Sequence, residues 1–216
     1  MAHTYNKFYI PHNMSLKKHY ASLFHKFGPG HEAVQYSSLE SQYKRFEVLS
    51  EPLCLSDSVI DLGCGLGGFL TYLRQEKGFT GKYLGLDFVD EFINHAGKEH
   101  QHDSKSSFAH FNILNDEIPQ GYDAIFVSGV FNNTMEDNWS FIIDTIKKMH
   151  TAANHLVSFN ALSTYVDYQD EGLYYTDPLA LFDHCKNEIS PFVTLRHDYL
   201  VKNNSIPFEF TLYLYK

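Results

Sequence analysis

The sequence predicts an α/β domain built on a doubly wound, mostly parallel sheet. Three observations carry this expectation. Short apolar runs alternate with amphipathic stretches from residue 37 onward. The first run breaks into glycines, Val59-Ile60-Asp61-Leu62-Gly63-Cys64-Gly65-Leu66-Gly67-Gly68, and the chain closes on two strand-like runs with no helix between them. At 216 residues one domain accounts for the length, with about 70% of the unfolded surface buried.

Residues 1–36 are rich in His, Tyr and Phe and are broken by Gly28-Pro29-Gly30, the pattern of an irregular or loosely helical lead-in that can serve as a lid. Residues 37–50 predict a helix: Ser37-x-x-Glu40 fits a capping box, and Leu39, Tyr43, Phe46 and Leu49 repeat on one face. Residues 59–62 are short, partly β-branched and apolar, as a buried strand should be. The glycines that follow permit positive φ and close approach of backbone N–H groups to a ligand. Residues 69–77 resume a helical pattern, with Phe69, Leu70 and Leu73 on one side and Gly78 as the stop. A strand, a glycine turn and a helix N-terminus make a nucleotide cradle.

Residues 82–88 predict a second strand carrying Asp87 near its end, and 90–100 a second helix. Asp87 lies 26 residues after Asp61, one βαβ unit away. Strands are further predicted at 107–113, 122–128 and 155–160, and helices at 139–150 and from Asp177-Pro178 to Lys186, where Pro178 suits a first turn. The last two strands, 192–200 and 208–215, are joined by a loop containing Asn203-Asn204-Ser205 and Pro207. In the final run Phe208, Phe210, Leu212 and Leu214 alternate with Glu209, Thr211, Tyr213 and Tyr215, and the short connection makes the pair antiparallel.

Composition narrows the partners. A formal charge of −9 opposes a large nucleic-acid surface, which needs clustered Lys and Arg, so a small-molecule substrate fits better. Cys54, Cys64 and Cys185 are odd in number and lack C-x-x-C spacing, which favours free thiols in the cytoplasm. No run of about 18 apolar residues and no apolar leader occurs, so neither membrane insertion nor export is expected. His95, His100, His102 and Asp103 fall at the end of a charged helix and read as a solvated face; no metal is expected. The sequence leaves the oligomeric state open. Some of the 18 Phe and 15 Tyr are expected to line a pocket.

The order of elements and the motif Asp61-Leu62-Gly63-Cys64-Gly65-Leu66-Gly67 resemble the class I S-adenosylmethionine-dependent methyltransferases, over residues 37–216. That resemblance implies a Rossmann-like, seven-stranded sheet with the last strand antiparallel, and S-adenosylmethionine as cofactor. It implies that Asp61, Gly63, Cys64, Gly65 and Gly67 meet the methionine and ribose portion, and that Asp87, beside Phe88, accepts hydrogen bonds from the ribose hydroxyls. A helix-capping aspartate is the alternative for Asp87. Asn112 and Ile113 fall where the family touches adenine, and Ser128 and Gly129 where the methyl group lies. Arg45 matches an arginine that pairs with the cofactor carboxylate, or is a solvated helix-surface residue; Gln42 shares its face.

The Asn/Asp-Pro-Pro-Tyr motif of adenine and glutamine methylation is absent at Ser128-Gly129-Val130-Phe131-Asn132. The resemblance therefore implies methyl transfer to another small molecule. The segments 159–167 and 195–199 are similar to a bacterial subgroup of the family. Asn132, Tyr165 and Tyr174, with Tyr168 and Tyr175, are candidates for an acceptor wall on the ligand-binding sheet edge, or simply cover the core. His197 beside Asp198 is the candidate general base, with a structural histidine as the alternative. Two rival readings stand: an NAD(P)-dependent oxidoreductase, because Gly63, Gly65 and Gly68 also satisfy G-x-G-x-x-G, and a non-catalytic S-adenosylmethionine-binding protein.

Overall fold

A computed structural model describes residues 15–216. Its centre is a seven-stranded sheet in the order β3-β2-β1-β4-β5-β7-β6. The strands are β1 (Val59–Leu62), β2 (Tyr83–Asp87), β3 (Ser106–His110), β4 (Tyr122–Val127), β5 (Ala153–Leu162), β6 (Val193–Arg196) and β7 (Glu209–Tyr215). β1 to β5 pair in parallel, and β7 runs antiparallel to both β5 and β6.

Helices cover both faces. On one side α2 (Leu39–Leu49) and α3 (Gly68–Gln75) place Phe46, Leu49, Phe69 and Leu73 against Val59, Ala124, Phe126 and Tyr213. On the other, α5 (Asn138–Ala152) and α6 (Pro178–Glu188) place Ile142, Ile146 and Leu181 against Ile60, Ile125, Val127 and Phe210. Strand alternation thus sends Val59 and Asp61 toward α3, and Ile60 and Leu62 toward α5. Because helices lie on both faces, β7 buries Glu209 and Thr211 along with its apolar residues. Ser158 Oγ and Tyr213 hydroxyl donate to the carbonyls of Leu49 and Val48 at 2.8 and 2.6 Å, tying the end of α2 to the sheet.

α1 (Leu16–Phe27) lies against α4 (Asp90–Glu99). Ser15 caps it by accepting from the Lys18 N–H. Tyr20 and Phe24 meet Phe92 edge-on, each with ring centres 6.0 Å apart, and Lys17 pairs with Asp90 at 2.7 Å. The part of the expected lead-in at residues 1–14 lies outside the described residues.

Several expectations shift. α2 is capped by Ser38 with Ser41, not by Ser37 with Glu40, because Ser38 is the extended residue whose hydroxyl reaches the Ser41 N–H, at 3.1 Å. Leu39 consequently sits outside the buried stripe, 52% exposed. β3 ends at His110 rather than 113, and residues 111–121 reach β4 without a helix. The penultimate strand covers Val193–Arg196 rather than 192–200. Among the described residues no helix is long and apolar enough to cross a membrane.

Candidate active site

A cavity of about 790 Å³ opens at the carboxyl ends of β1, β2 and β4. The turn after β1 forms its floor, α1 and residues 28–38 its roof, and residues 166–175 one end. This is the edge at which open α/β sheets bind ligands.

The floor is shaped by its own hydrogen bonds. Gly63 and Cys64 N–H groups both donate to the Leu86 carbonyl, at 2.7 and 3.0 Å, folding the turn over the end of β2. Gly63 has φ +81, and a Cβ there would lie 2.3 Å from a Val130 methyl, so only glycine fits. The Gly65 N–H donates to Asp87 Oδ2 and the Val89 N–H to Asp87 Oδ1, both at 2.9 Å. Asp87 therefore closes the glycine turn and opens the next helix at once. Each of its oxygens keeps a further lone pair.

Two carboxyl groups face this floor from within the protein. Asp61, 2% exposed, accepts the Tyr83 hydroxyl at 2.5 Å. Burial pushes its pKa up to about 7, the Tyr83 bond opposing and the charge of Asp87 adding to the rise. Burial raises Asp87 to about 6 against the lowering effect of its backbone donors. The Cys64 thiol is pushed well above its ordinary range by burial and by the same two carboxylates.

The β4 end is held by a polar chain. Gly129 N–H donates to Asn160 Oδ1 at 2.9 Å, Asn160 Nδ2 approaches Ser128 Oγ at 3.5 Å, and Ser128 Oγ meets the Tyr36 hydroxyl at 3.0 Å. The Tyr36 ring lies 5.0 Å from the Arg45 guanidinium. Arg45 Nε donates to both carboxylate oxygens of Glu209 at 2.9 Å, Nη2 adds a third contact, to Oε1, and Nη1 donates to the Ser41 carbonyl at 2.9 Å.

Most residues singled out in the sequence converge here. Asp61, Gly63, Cys64, Gly65, Asp87 and Phe88 line the cavity from the first two strands. Ser128, Gly129 and Asn132 line it from β4, and Gln42 and Arg45 from α2. Neither sequence expectation for Arg45 describes its state: it is 9% exposed rather than solvated, and its fork is filled by Glu209. Asn132 spends its side-chain oxygen on the Leu162 N–H at 3.1 Å.

Six residues stand apart from the cavity. Gly67, with φ +80, caps α3 behind the floor, where His100 Nε2 approaches its carbonyl at 3.3 Å. That histidine stacks on Phe108 and is not on a solvated face. Asn112 and Ile113 lie beyond the early end of β3: Asn112 Oδ1 accepts the Leu114 N–H, and the Ile113 carbonyl accepts Lys148 Nζ. Tyr165 is 53% exposed against His197, and Tyr174 packs on the core beside α5, leaving Tyr168 and Tyr175 as the tyrosines of that group at the cavity. His197 follows β6, separated from β4 by β7 and β5, and its ring meets Phe210.

Tyr20, Tyr36, Asn133, Asn160 and Glu209 were not singled out by sequence. A polar Asn160 and a charged Glu209 at the carboxyl end of β5 and the head of β7 are the available signals; the other three carry none.

The family profile described as a methyltransferase domain matches residues 60–156. A Mycobacterium tuberculosis relative, Rv1506c, itself named as a methyltransferase, is 34% identical over 165 residues, spanning 74% of this chain and 93% of the relative. Magnesium protoporphyrin IX methyltransferase from Synechocystis PCC 6803 with bound SAH (S-adenosylhomocysteine) superposes with a TM-score of 0.60 at 12% identity, over 82% of this chain and 83% of that one. A SAM-dependent methyltransferase from Aquifex aeolicus gives 0.57 at 16% identity, over 81% and 92%. Those two likenesses concern the fold; sequence kinship with the first relative concerns descent. With the glycine turn, the acids at the ends of β1 and β2, and the antiparallel β7 already in place, the chain belongs to the class I S-adenosylmethionine-dependent methyltransferase family.

Proposed function

We propose that the protein methylates a small molecule held in the cavity between the glycine turn and the segment 166–175, with α1 and residues 28–38 as a lid. One observation carries this reading: a single cavity of about 790 Å³ runs from the floor at Asp87 to Tyr168 and Tyr175, within the roughly 300–1,000 Å³ of small-molecule sites. Cofactor and acceptor then share one water-poor space.

The residues present fit S-adenosylmethionine. The floor carries two buried carboxyl groups suited to a cationic ligand, and Asp87 has lone pairs to spare for paired hydroxyls. Gly63, Gly65 and Gly129 let Val130, Val34 and Tyr36 pack directly against the backbone that lines the cavity, while Phe88 supplies an apolar wall. When bound, the cofactor supplies a sulfonium-activated methyl group for in-line displacement. This chain's part is orientation and exclusion of water: Asp87 and the glycine turn hold one side, the Tyr36–Ser128–Asn160 chain stiffens the β4 end, and α1 closes above. His197, outside the cavity, has no part in it. The formal charge of −9 supports a small acceptor rather than nucleic acid, and three unpaired cysteines support a cytoplasmic setting.

Thermal unfolding tests the reading. SAH or S-adenosylmethionine at 100 times its Kd should stabilise by about 2.7 kcal/mol, a shift of a few degrees, and Asp87→Ala should abolish it. A shift produced by NAD or NADP alone overturns it. So does methyl label from the cofactor passing to nucleic acid or protein but not to a metabolite extract.

A further inference from the structure

Gln42, on the same face of α2 as Arg45, is a buried amide without a partner. It lines the cavity and is 8% exposed. Its backbone is well anchored: the Gln42 N–H donates to the Ser38 carbonyl at 3.1 Å, and one turn on, Phe46 packs against Phe69 of α3 with ring centres 5.1 Å apart. Its carboxamide bonds to no group among the described residues, yet it is not sealed off and keeps surface in the cavity. Nε2 lies 3.4 Å from the place a Cβ of Gly68 would take, so the amide rests on the first residue of α3.

That helix start is a second group left unfilled. Gly67, its cap residue, has no side chain to offer, and the Gly68 and Phe69 N–H groups, both at the cavity, meet no acceptor among the described residues. Free N–H groups in a first turn carry the positive end of the helix dipole and bind anions. Buried polar groups are almost always paired, so an unpaired amide beside an uncapped helix start calls for a carboxylate on the ligand. Arg45 is poorly placed to supply the same service. Glu209 already matches its charge, and a carboxylate brought to that guanidinium would also meet the carboxylate of Glu209. The amide has a further advantage: whichever way it is turned, it presents both an N–H donor and an oxygen acceptor, as a group carrying a carboxylate and an ammonium requires.

We infer that Gln42 and the first turn of α3 hold the amino acid end of S-adenosylmethionine, and that Arg45 instead serves to join α2 to β7. This rests on the family's cofactor and holds for any methyl acceptor.

Calorimetry with two ligands tests it: SAH, and methylthioadenosine, which keeps the nucleoside and the sulfur but lacks the amino acid end. Wild type should bind SAH at least about tenfold tighter than methylthioadenosine. Gln42→Leu should weaken SAH about tenfold and methylthioadenosine less than about twofold. Gln42→Glu, of the same size, sets carboxylate against carboxylate; it should weaken SAH further, again sparing methylthioadenosine, and it serves if the leucine variant does not fold. The paired change Arg45→Met with Glu209→Leu should keep the ratio of the two affinities within about threefold of wild type. Equal binding of the two ligands by wild type, a fall shared by both ligands in the folded Gln42 variants, or an unchanged SAH affinity in those variants overturns the inference. So does a loss confined to SAH in the Arg45 and Glu209 variant, which returns the amino acid end to Arg45. Wild type that binds neither ligand contradicts the cofactor itself and takes this inference with it.

Discussion

Arg45 on α2 and Glu209 at the head of β7, 164 residues apart in sequence, form a buried, multiply bonded ion pair at the side of the cavity. Glu209 sits opposite Leu162 in the β5–β7 register, so the antiparallel direction of β7 is what brings its first residue to the ligand-binding edge. Tyr36 stacks over the guanidinium and passes the constraint on to Ser128.

Such a pair contributes little compared with apolar residues of the same size, but removing one partner strands a charge. Glu209→Ala is expected to cost about 3–5 kcal/mol in urea unfolding. The double variant Arg45→Met with Glu209→Leu is expected to lose less than either single change. Additive losses would mean that the two side chains do not act as a pair.

Gly129 has φ +75, and a Cβ built there falls 3.2 Å from the Tyr36 hydroxyl. Gly129→Ala should cost about 1–2 kcal/mol of backbone strain, part Tyr36 from Ser128, and weaken SAH binding about tenfold by calorimetry. Gly97, within α4 and with nothing within 4 Å of its Cβ position, provides the contrast. Gly97→Ala should stabilise by about 0.5–1 kcal/mol and leave SAH binding unchanged.

Protonation of the floor sets a pH dependence with a definite sign. Asp61 and Asp87 have folded-state pKa values raised from 3.8 to about 7 and about 6. Their neutral forms are the ones the fold favours, so their stabilising contribution is fully present below about pH 4 and is lost as pH rises through 6 and 7. A cationic ligand reverses the preference. The ratio of S-adenosylmethionine to SAH affinity should therefore rise with pH between about 5 and 8, by at most about tenfold per unit for each proton released. A ratio flat across that range in calorimetry would remove the two carboxylates from the sulfonium's surroundings.

Thiol reactivity offers a check on the floor itself. Cys54 is exposed, whereas Cys64 and Cys185 are buried, with thiols pushed well up and to about 12 respectively. Iodoacetamide at pH 8 should add a single group to the native protein, on Cys54, and three after unfolding, as read by mass spectrometry.

Local signals predicted the frame well. The apolar runs, the glycines and the period-2 pattern after Phe208 each depend on neighbours in sequence, and the structure places β1, β2, β4 and β7 within a residue or two of expectation. What sequence missed was set by distance. Arg45 carries no trace of Glu209, and Asn133 none of Tyr20, 113 residues earlier. Asn112 and Ile113 were misplaced for a different reason: β3 is an edge strand that stops at His110, and turns stabilised by Asn112 and Asp116 replace the extension its residue types suggested. His197 looked catalytic because an adjacent acid is visible in sequence, whereas the sheet order that removes it from β4 is not.

The insertion of β7 between β5 and β6 also orders events in time. A chain growing from its N-terminus completes the glycine turn, both floor acids and α2 well before residue 209 exists. Until then β5 has an open edge and Arg45 a buried position without its counter-charge. A chain truncated before residue 209 would therefore carry the cofactor motif without a finished pocket around it.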